Sequence, residues 1–335
     1  MNQPNVEMLQ SVLSDKEWDY LFPMANKLYD HQSFLMAAAK FPSFCSAERG
    51  AKLCKRELST FFAMAAHETG YEDESNKIPT WRQALYHITE MACTPQTGAK
   101  ACDYKSTNWS ADVWPPTKGK QYFGRGPLQM SWNFNYGPFS RMATGDDSVL
   151  LKNPDLVGED GYLAFLSALW FYMLPQAPKP SMHEIATHQY VPNAADKKEG
   201  LGSNFGSAIM VINGGLECTT GSKKESIGAQ KRAKYYRSFL DYFGLPAEKH
   251  LGCATLKPFS STSASDYPQY LDRNWAQQVQ CKVVNWETQF SIFAESDYKR
   301  CICYNFAKGD KDCLSGKKAA EEEEELIEEE TFLQI

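Results

Sequence analysis

No stretch of about 18 consecutive apolar residues occurs in this 335-residue chain, so it offers no candidate for a membrane-spanning helix. Long alternating apolar runs are missing too, which argues against a large central sheet. The glycine pattern excludes the common nucleotide folds. Gly124-Arg125-Gly126-Pro127-Leu128-Gln129 lacks the third glycine of a dinucleotide fingerprint and follows no strand-like run, and no glycine-rich loop ends in a phosphate-binding lysine. Metal chemistry is equally poorly provided for: His183 and His188 lack the usual helical ligand spacing, and no Cys-x-x-Cys pair occurs. Neither cofactor nor metal is expected. Residues 1–30 hold no cationic region followed by an uninterrupted apolar stretch, so no ordinary signal peptide is visible.

An excess of positive charge is also absent. The formal charge is -6, yet eight of the 41 acidic residues are glutamates crowded into 321–335; the remainder sets 35 basic against 33 acidic residues. A body so nearly neutral has no global field to draw in nucleic acid, and no such partner is expected.

What the chain does have is ten cysteines, at 45, 54, 93, 102, 218, 253, 281, 301, 303 and 313. An even number spread so widely favours disulfides and an extracellular or cell-surface location, with Cys93/Cys102 and Cys218/Cys253 as the pairs that spacing supports. A composition of 43% hydrophobic and 23% charged residues is globular.

Helical spacing dominates the pattern. Residues 6–14 and 15–30 are expected as short amphipathic pieces, followed by a helix over 32–39 that stops before Pro42. Leu58, Phe61, Phe62 and Ala65 stand three and four apart between Glu57 and His67, giving an apolar stripe. Gly161 to Met173 presents Leu163, Leu166, Leu169, Trp170 and Met173 inward, and further helices are expected at 181–187, 203–213 and 228–243. Five segments follow: an N-terminal extension (1–14), a mainly helical domain (15–256), a serine-rich linker (257–265), a cysteine- and aromatic-rich appendage (266–316) and an acidic tail (317–335). The appendage could carry exposed rings for a polysaccharide, Trp275 and Trp286 among them, or pack as an aromatic core.

Glu68 ends the otherwise apolar run Ala65-Ala66-His67-Glu68-Thr69-Gly70, so a rigid helix would present it at a cleft edge. A carboxyl partly withdrawn from water there suits a general acid. Glu90 follows as a second carboxylate. Between 121 and 137 comes a dense polar and aromatic stretch in which Gln129, Ser131, Asn133 and Asn135 occupy every second position. An extended backbone would put these four on one face and Met130, Trp132, Phe134 and Tyr136 on the other. Neutral amides and hydroxyls suit a sugar bearing hydroxyl and acetamido groups. Arg125 sits at the centre of a glycine turn, where a buried ion pair is expected to shape the loop. Trp132 and Trp170 are expected in the core rather than as sugar platforms.

The stretches Phe61–Gly70, Lys120–Gly137, Asn153-Pro154-Asp155-Leu156, Ala168–Phe171 and Val211–Cys218, followed by Arg232 and Tyr235-Tyr236, resemble in order the family 19 glycoside hydrolases. These are plant-type endochitinases that cleave β-1,4-linked N-acetylglucosamine. The resemblance covers roughly residues 20–250. It implies a mainly α fold, a lysozyme-like α+β catalytic domain with two lobes around a substrate cleft, here followed by a small disulfide-rich C-terminal extension. By the same resemblance Glu68 is the general acid and Glu90 the general base of an inverting hydrolysis, and Ser131 holds the water with Glu90. His67, Gln129, Phe134, Asn135 and Asn213 fall at substrate-contacting positions, while Glu217, Arg232 and Arg125 belong to a supporting network. The implied partner is chitin or a related polymer, handled by a monomer.

Two departures bear on the site. Phe134 stands where the family usually has tyrosine, and Gly70-Tyr71-Glu72-Asp73-Glu74-Ser75 replaces a threonine- and glycine-rich continuation, which makes Glu72 and Glu74 local competitors for the role of base. A lysozyme-like peptidoglycan hydrolase and a chitin-binding protein without turnover are the alternatives, separable by a release assay on both polymers.

Overall fold

The computed structural model describes residues 3–93, 102–107, 110–111, 114–176, 178–218 and 223–266, together with the backbone of 270–271 and 281–282. Its opening helices are short because the sequence punctuates them. Helix α1 (Pro4–Val12) begins on a proline, and α2 (Asp15–Leu21) begins on a capping box in which Ser14 and Glu17 satisfy each other's backbone N–H groups. Pro23 follows closely, so the helical piece expected over 15–30 ends at Leu21. Asp30 caps α3 (His31–Ala38) by accepting from the Ser33 N–H.

Helix α4 (Gly50–Thr69) is the longest and runs through the middle of the core, with every residue from Arg56 to Ala66 buried. Around it Trp18, Phe22, Phe34, Phe62 and Phe165 meet edge-to-face and stacked at centroid separations of 4.7 to 6.1 Å. Aromatic contacts of this kind add to the burial of large apolar surface. The remaining helices are α5 (Asn133–Thr144), α6 (Ser148–Lys152), α7 (Gly161–Met173), α8 (Met182–Ala186), α9 (Ala194–Lys198), α10 (Phe205–Glu217) and α11 (Ile227–Tyr242). Helix α7 has the bounds that its apolar spacing indicates. It is buried almost all round, from Ala164 to Trp170 and again at Tyr172. Helix α11 packs along α4, and α10 lies against α11 and α8.

The expected α+β architecture is corrected by this arrangement. The described residues are almost entirely helical, and the only paired strands among them are β1 (Tyr270–Leu271) and β2 (Cys281–Lys282), two residues each. Elsewhere there are isolated bridges, Thr89 with Arg125, Arg125 with Met130 and Gln176 with Lys179. No ladder propagates from them because the chain turns at once: Gly126, Gln129 and Trp132 all have positive φ. Disulfides are likewise not confined to a C-terminal extension. Cys45–Cys54, Cys93–Cys102 and Cys218–Cys253 staple the helical body, the first being a pair that spacing did not single out.

A second correction concerns residues 129–136. The alternating extended face does not exist, since α5 begins at Asn133. Asn133 points into the interior, where it accepts from the Ser106 N–H (2.8 Å) and donates to Ser106 Oγ (3.0 Å) and the Trp114 carbonyl (2.7 Å). Gly137 allows the Trp114 ring to lie against this helix, for an added Cβ would come within 2.3 Å of it.

The stretch expected as a linker, 257–265, lies against the body. The Lys257 N–H donates to the Glu199 carbonyl, Asn193 Nδ2 to the Thr262 carbonyl and Ser265 Oγ to the Pro178 carbonyl. Phe259 is buried beside Tyr190. Most of the appendage at 266–316 and all of the acidic tail at 317–335 lie outside the described residues, as do the side chains of Trp275, Trp286 and the last four cysteines.

Phe259→Ala should therefore destabilise the body by about 3 kcal/mol, the usual cost of truncating a buried phenylalanine. Thermal denaturation followed by circular dichroism checks this; an unchanged transition would mean that 257–265 does not stay docked.

Candidate active site

A cleft of about 900 Å³ opens between the C-terminal end of α4, the segment 87–91, the turn 128–135 and the end of α10. Its depth comes from the helix ends, and its polarity from what those ends carry. Glu68, Glu90, Gln129, Ser131, Asn135 and Asn213 all line it, so six of the residues singled out in the sequence come together on one surface.

Glu68 occupies the last turn of α4, where Gly70 continues as extended chain. One of its carboxylate oxygens accepts a hydrogen bond from Arg232 Nη2. Arg232 is fully buried on α11 and also donates to Glu217, from Nη2 at 2.8 Å and from Nε at 3.1 Å to both oxygens. Burial alone would lower the pKa of this guanidinium, but Glu68 and Glu217 outweigh that and hold it charged. For Glu217 the balance runs the other way. Burial raises its pKa, while Arg232 and the amide of Asn213, which donates at 2.8 Å, bring it below the usual carboxylate value. Asn213 can reach because its backbone leaves helical geometry (φ -149°, ψ 32°), putting a kink in α10 that turns its side chain toward both Glu217 and the cleft.

His67 sits beside this network without joining it by a hydrogen bond. Its Nδ1 is buried with no hydrogen-bond partner, 3.8 Å from Glu72, and its Nε2 is 4.0 Å from Glu217, beyond hydrogen-bond range. Burial, and then the positive charge of Arg232, push its pKa down to about 3, so the imidazole stays neutral behind Glu68.

Glu90 lines the same cleft from the segment 87–91. Tyr104 donates its hydroxyl at 2.8 Å to one oxygen and the Gly124 N–H reaches the other at 3.2 Å; the Glu90 N–H in turn bonds the Gly124 carbonyl at 2.9 Å. The Tyr104 phenol is pushed up to about 12 by burial and by this bond to a carboxylate. The Cys93–Cys102 bridge closes the chain between these two residues, three positions beyond Glu90 and two before Tyr104. Nothing in the sequence marked Tyr104, because its segment has no periodicity and its value lies wholly in that spatial neighbour.

The local competitors are committed elsewhere. Glu72 pairs with Lys231 at 2.6 Å, and Glu74 is exposed, 4.0 Å from Lys234. Neither is among the cleft-lining residues. Arg125 is buried, bonded to Asp155 at 2.6 Å, to Tyr136 Oη at 2.8 Å and to the Phe123 carbonyl at 3.1 Å, which fixes the turn that carries Gln129. Gln129 donates back to the Gly126 and Ile88 carbonyls, and Asn135 to the Ser131 carbonyl.

Trp170 is buried, as expected, but Trp132 is not: 37% exposed, it lines the cleft. Phe134 stacks beneath it at 5.4 Å with planes 8° apart, and Tyr104 meets it edge-on. His67 and Phe134, expected to touch substrate, are not among the residues that line the cleft. Lys179, Leu216, Pro258 and Phe259, which also line the cleft, were not foreseen; they come from three separate parts of the chain.

Glu68 and Glu90 thus line one cleft of mixed polarity together with an exposed tryptophan, and comparison with known proteins gives the family. The chain belongs to the glycoside hydrolase 19 family, whose model, described as chitinase class I, matches residues 6–253. It is 39% identical over 239 residues to Chitinase 12 of Oryza sativa subsp. japonica, covering 71% of this chain and 68% of that protein. With Endochitinase A2 of Pisum sativum it shares 38% over 234 residues, or 70% and 67% of the two chains. Among solved structures, chitinase C from Streptomyces griseus HUT6037 aligns with a TM-score of 0.53 at 28% identity, covering 72% of this chain and 97% of that one. The class IV family 19 chitinase from Zea mays aligns at 0.52 and 27%, covering 73% and 100%.

The neutral His67 makes stability pH-dependent with a definite sign. Its folded pKa is depressed, so the unfolded chain binds the extra proton and stability falls as pH drops from about 6.5 toward about 3. The slope from one such group is at most about 1.4 kcal/mol per pH unit. Glu217, depressed from 4.5, adds to the loss at the acid end of the range. Urea denaturation at pH 7, 5.5 and 4 should show His67→Gln losing stability less steeply than the unmodified protein; parallel slopes would refute the assignment.

Proposed function

We propose that this chain is an endochitinase that hydrolyses β-1,4-linked N-acetylglucosamine polymers with inversion, Glu68 serving as general acid and Glu90 as general base. The observation that carries the reading is that Glu68 and Glu90 line the same cleft and are held in different ways. Glu68 leans on a buried cation, while Glu90 accepts from a phenol and a backbone N–H.

Inversion requires protonation of the leaving oxygen by one carboxyl while the other activates water on the far side of the sugar, with about 6.5–9.5 Å between them to admit that water. Arg232 positions Glu68 from a rigid helix. Its other carboxylate partner, Glu217, and the amide of Asn213 complete the array behind the acid. Tyr104 and Gly124 hold Glu90 oriented, and Ser131, which lines the same cleft, is assigned with it to holding the water. Gln129, Asn135 and Asn213 offer amides to the acetamido and hydroxyl groups of the sugar, and Trp132 offers an exposed ring face supported by Phe134. Phe134 acts through that stacking, a role that needs no hydroxyl. An extracellular site of action is supported by the three disulfides, which persist in oxidising surroundings.

Glu68→Gln should abolish turnover while keeping the fold and oligomer binding, because shape is preserved and the transferable proton is lost. Glu90→Gln should lose several orders of magnitude with some residual rate, and Ser131→Ala should lose about 10- to 100-fold, as befits water positioning. Reducing-end release combined with anomer-resolved NMR on the N-acetylglucosamine hexamer checks all three. An initial product keeping the β configuration would reject inversion; a Glu90→Gln variant near wild type beside an inactive Glu72→Gln variant would reject the choice of base.

A further inference from the structure

Two cations sit side by side at the start of α11, and each has its own carboxylate. Arg232 bonds Glu68, and Lys231 bonds Glu72 at 2.6 Å. Glu72 belongs to the segment 70–75 that departs from the family pattern, and its backbone takes a left-handed φ of 56° to bring its side chain back over α11. A glutamate pays a conformational cost to sit there, so its contacts must hold it. Those contacts are Lys231 and the Tyr235 hydroxyl, at 3.3 Å, from α11, with His67 Nδ1 3.8 Å away on α4. His87, on the segment that also lines the cleft, feels the same carboxylate, which raises its pKa against the larger lowering by burial.

We infer that Glu72 is a positioning residue for catalysis: it occupies the Lys231 ammonium so that Arg232 is the only cation seated on Glu68. This inference rests on Glu68 being the acid. Lys231 adjoins Arg232 in sequence and is 37% exposed on a long flexible stem, so without Glu72 its charge is left uncompensated next to the residue that pairs with Glu68. An additional positive charge there favours the ionised form of Glu68, which cannot donate a proton. The groups facing Glu68 are Arg232 and, through it, Glu217, with neutral His67 as chain neighbour and Glu90 in the same cleft. Those facing Glu72 are Lys231, Tyr235, His67 and His87, with Glu74 and Lys234 one step outward. Among all of these, Lys231 is the cation that Glu72 directly neutralises.

Charge neutralisation at each partner separates this role from simple support of the loop, because the two changes act with opposite sign. In Glu72→Gln the uncompensated Lys231 should move the alkaline limb of the kcat/KM profile to lower pH by about half to one unit. In Lys231→Met the uncompensated Glu72 should move it to higher pH, and Glu72→Gln/Lys231→Met should bring it back near the original position. The profiles are measured with the N-acetylglucosamine hexamer at low ionic strength, where screening is least, and each variant's thermal transition is followed by circular dichroism. Limbs that stay put, or move in the same direction in both single variants, would overturn the inference and leave Glu72 a loop support only. If Glu72→Gln does not fold, the upward shift in Lys231→Met decides alone, and its absence counts against the inference. Glu68→Gln is the separate control: activity surviving in that variant would refute the assignment of the acid itself, whatever the limb shifts show.

Discussion

The buried guanidinium of Arg232 is the constraint on which the rest of the site depends. A cation fully removed from water must be matched by anions within contact distance, and removing its partners would leave a charge costing several kcal/mol. Two carboxylates meet that need here, Glu68 from the end of α4 and Glu217 from the end of α10. Three helices that are far apart in sequence are thereby pinned at one point, directly behind the cleft-lining Glu68. Glu217 and Asn213 lie four apart on α10, so the same interaction that anchors Arg232 also aims the Asn213 amide.

The frame around Glu90 is built without regular structure and by different means. Single bridges join Thr89 to Arg125 and Arg125 to Met130, and the Arg125 guanidinium fills the turn between them. Gly126 makes that turn possible with a φ of 79°, its missing Cβ leaving room beside Ala164 and Ser167 of α7. Glu90 hangs from this frame through Gly124, and the Cys93–Cys102 bridge keeps Tyr104 within reach of it. Glu68 is thus fixed by charge buried in a helical core, and Glu90 by turns and a covalent staple. Chemistry that needs two carboxylates in different surroundings finds them in that contrast.

How far the sequence could be followed depended on the kind of order involved. Helix α7 was legible end to end because apolar residues recur at helical spacing between Asp160, which caps it, and Pro175. Helix α5 was not. Its first residues alternate polar and aromatic types as a strand would, and only the burial of Asn133 among Ser106 and Trp114 makes helix the better solution. Helix α4 extended seven residues further toward its N-terminus than its apolar stripe indicated, since Gly50 to Lys55 carry mixed polarity and are held by the Cys45–Cys54 bridge. Local periodicity reports local burial. It is silent where a distant partner supplies it.

By itself the sequence determined the helical character of the body, the two disulfides with clear spacing and the family resemblance, and it singled out two carboxylates that line the cleft. These are properties of composition and short-range pattern, which survive without knowledge of what lies opposite. Tertiary structure alone decided that Trp132 faces the cleft while Asn133 turns away, that His67 stays neutral and unbonded behind the acid, and that Tyr104 rather than another residue holds Glu90. It also brought Pro258 and Phe259 from beyond the matched family region into the cleft wall. The physical reason is common to all of these. Exposure, protonation and hydrogen-bond partners are set by neighbours in space, and for these residues the neighbours come from distant parts of the chain or from a turn whose direction only packing fixes.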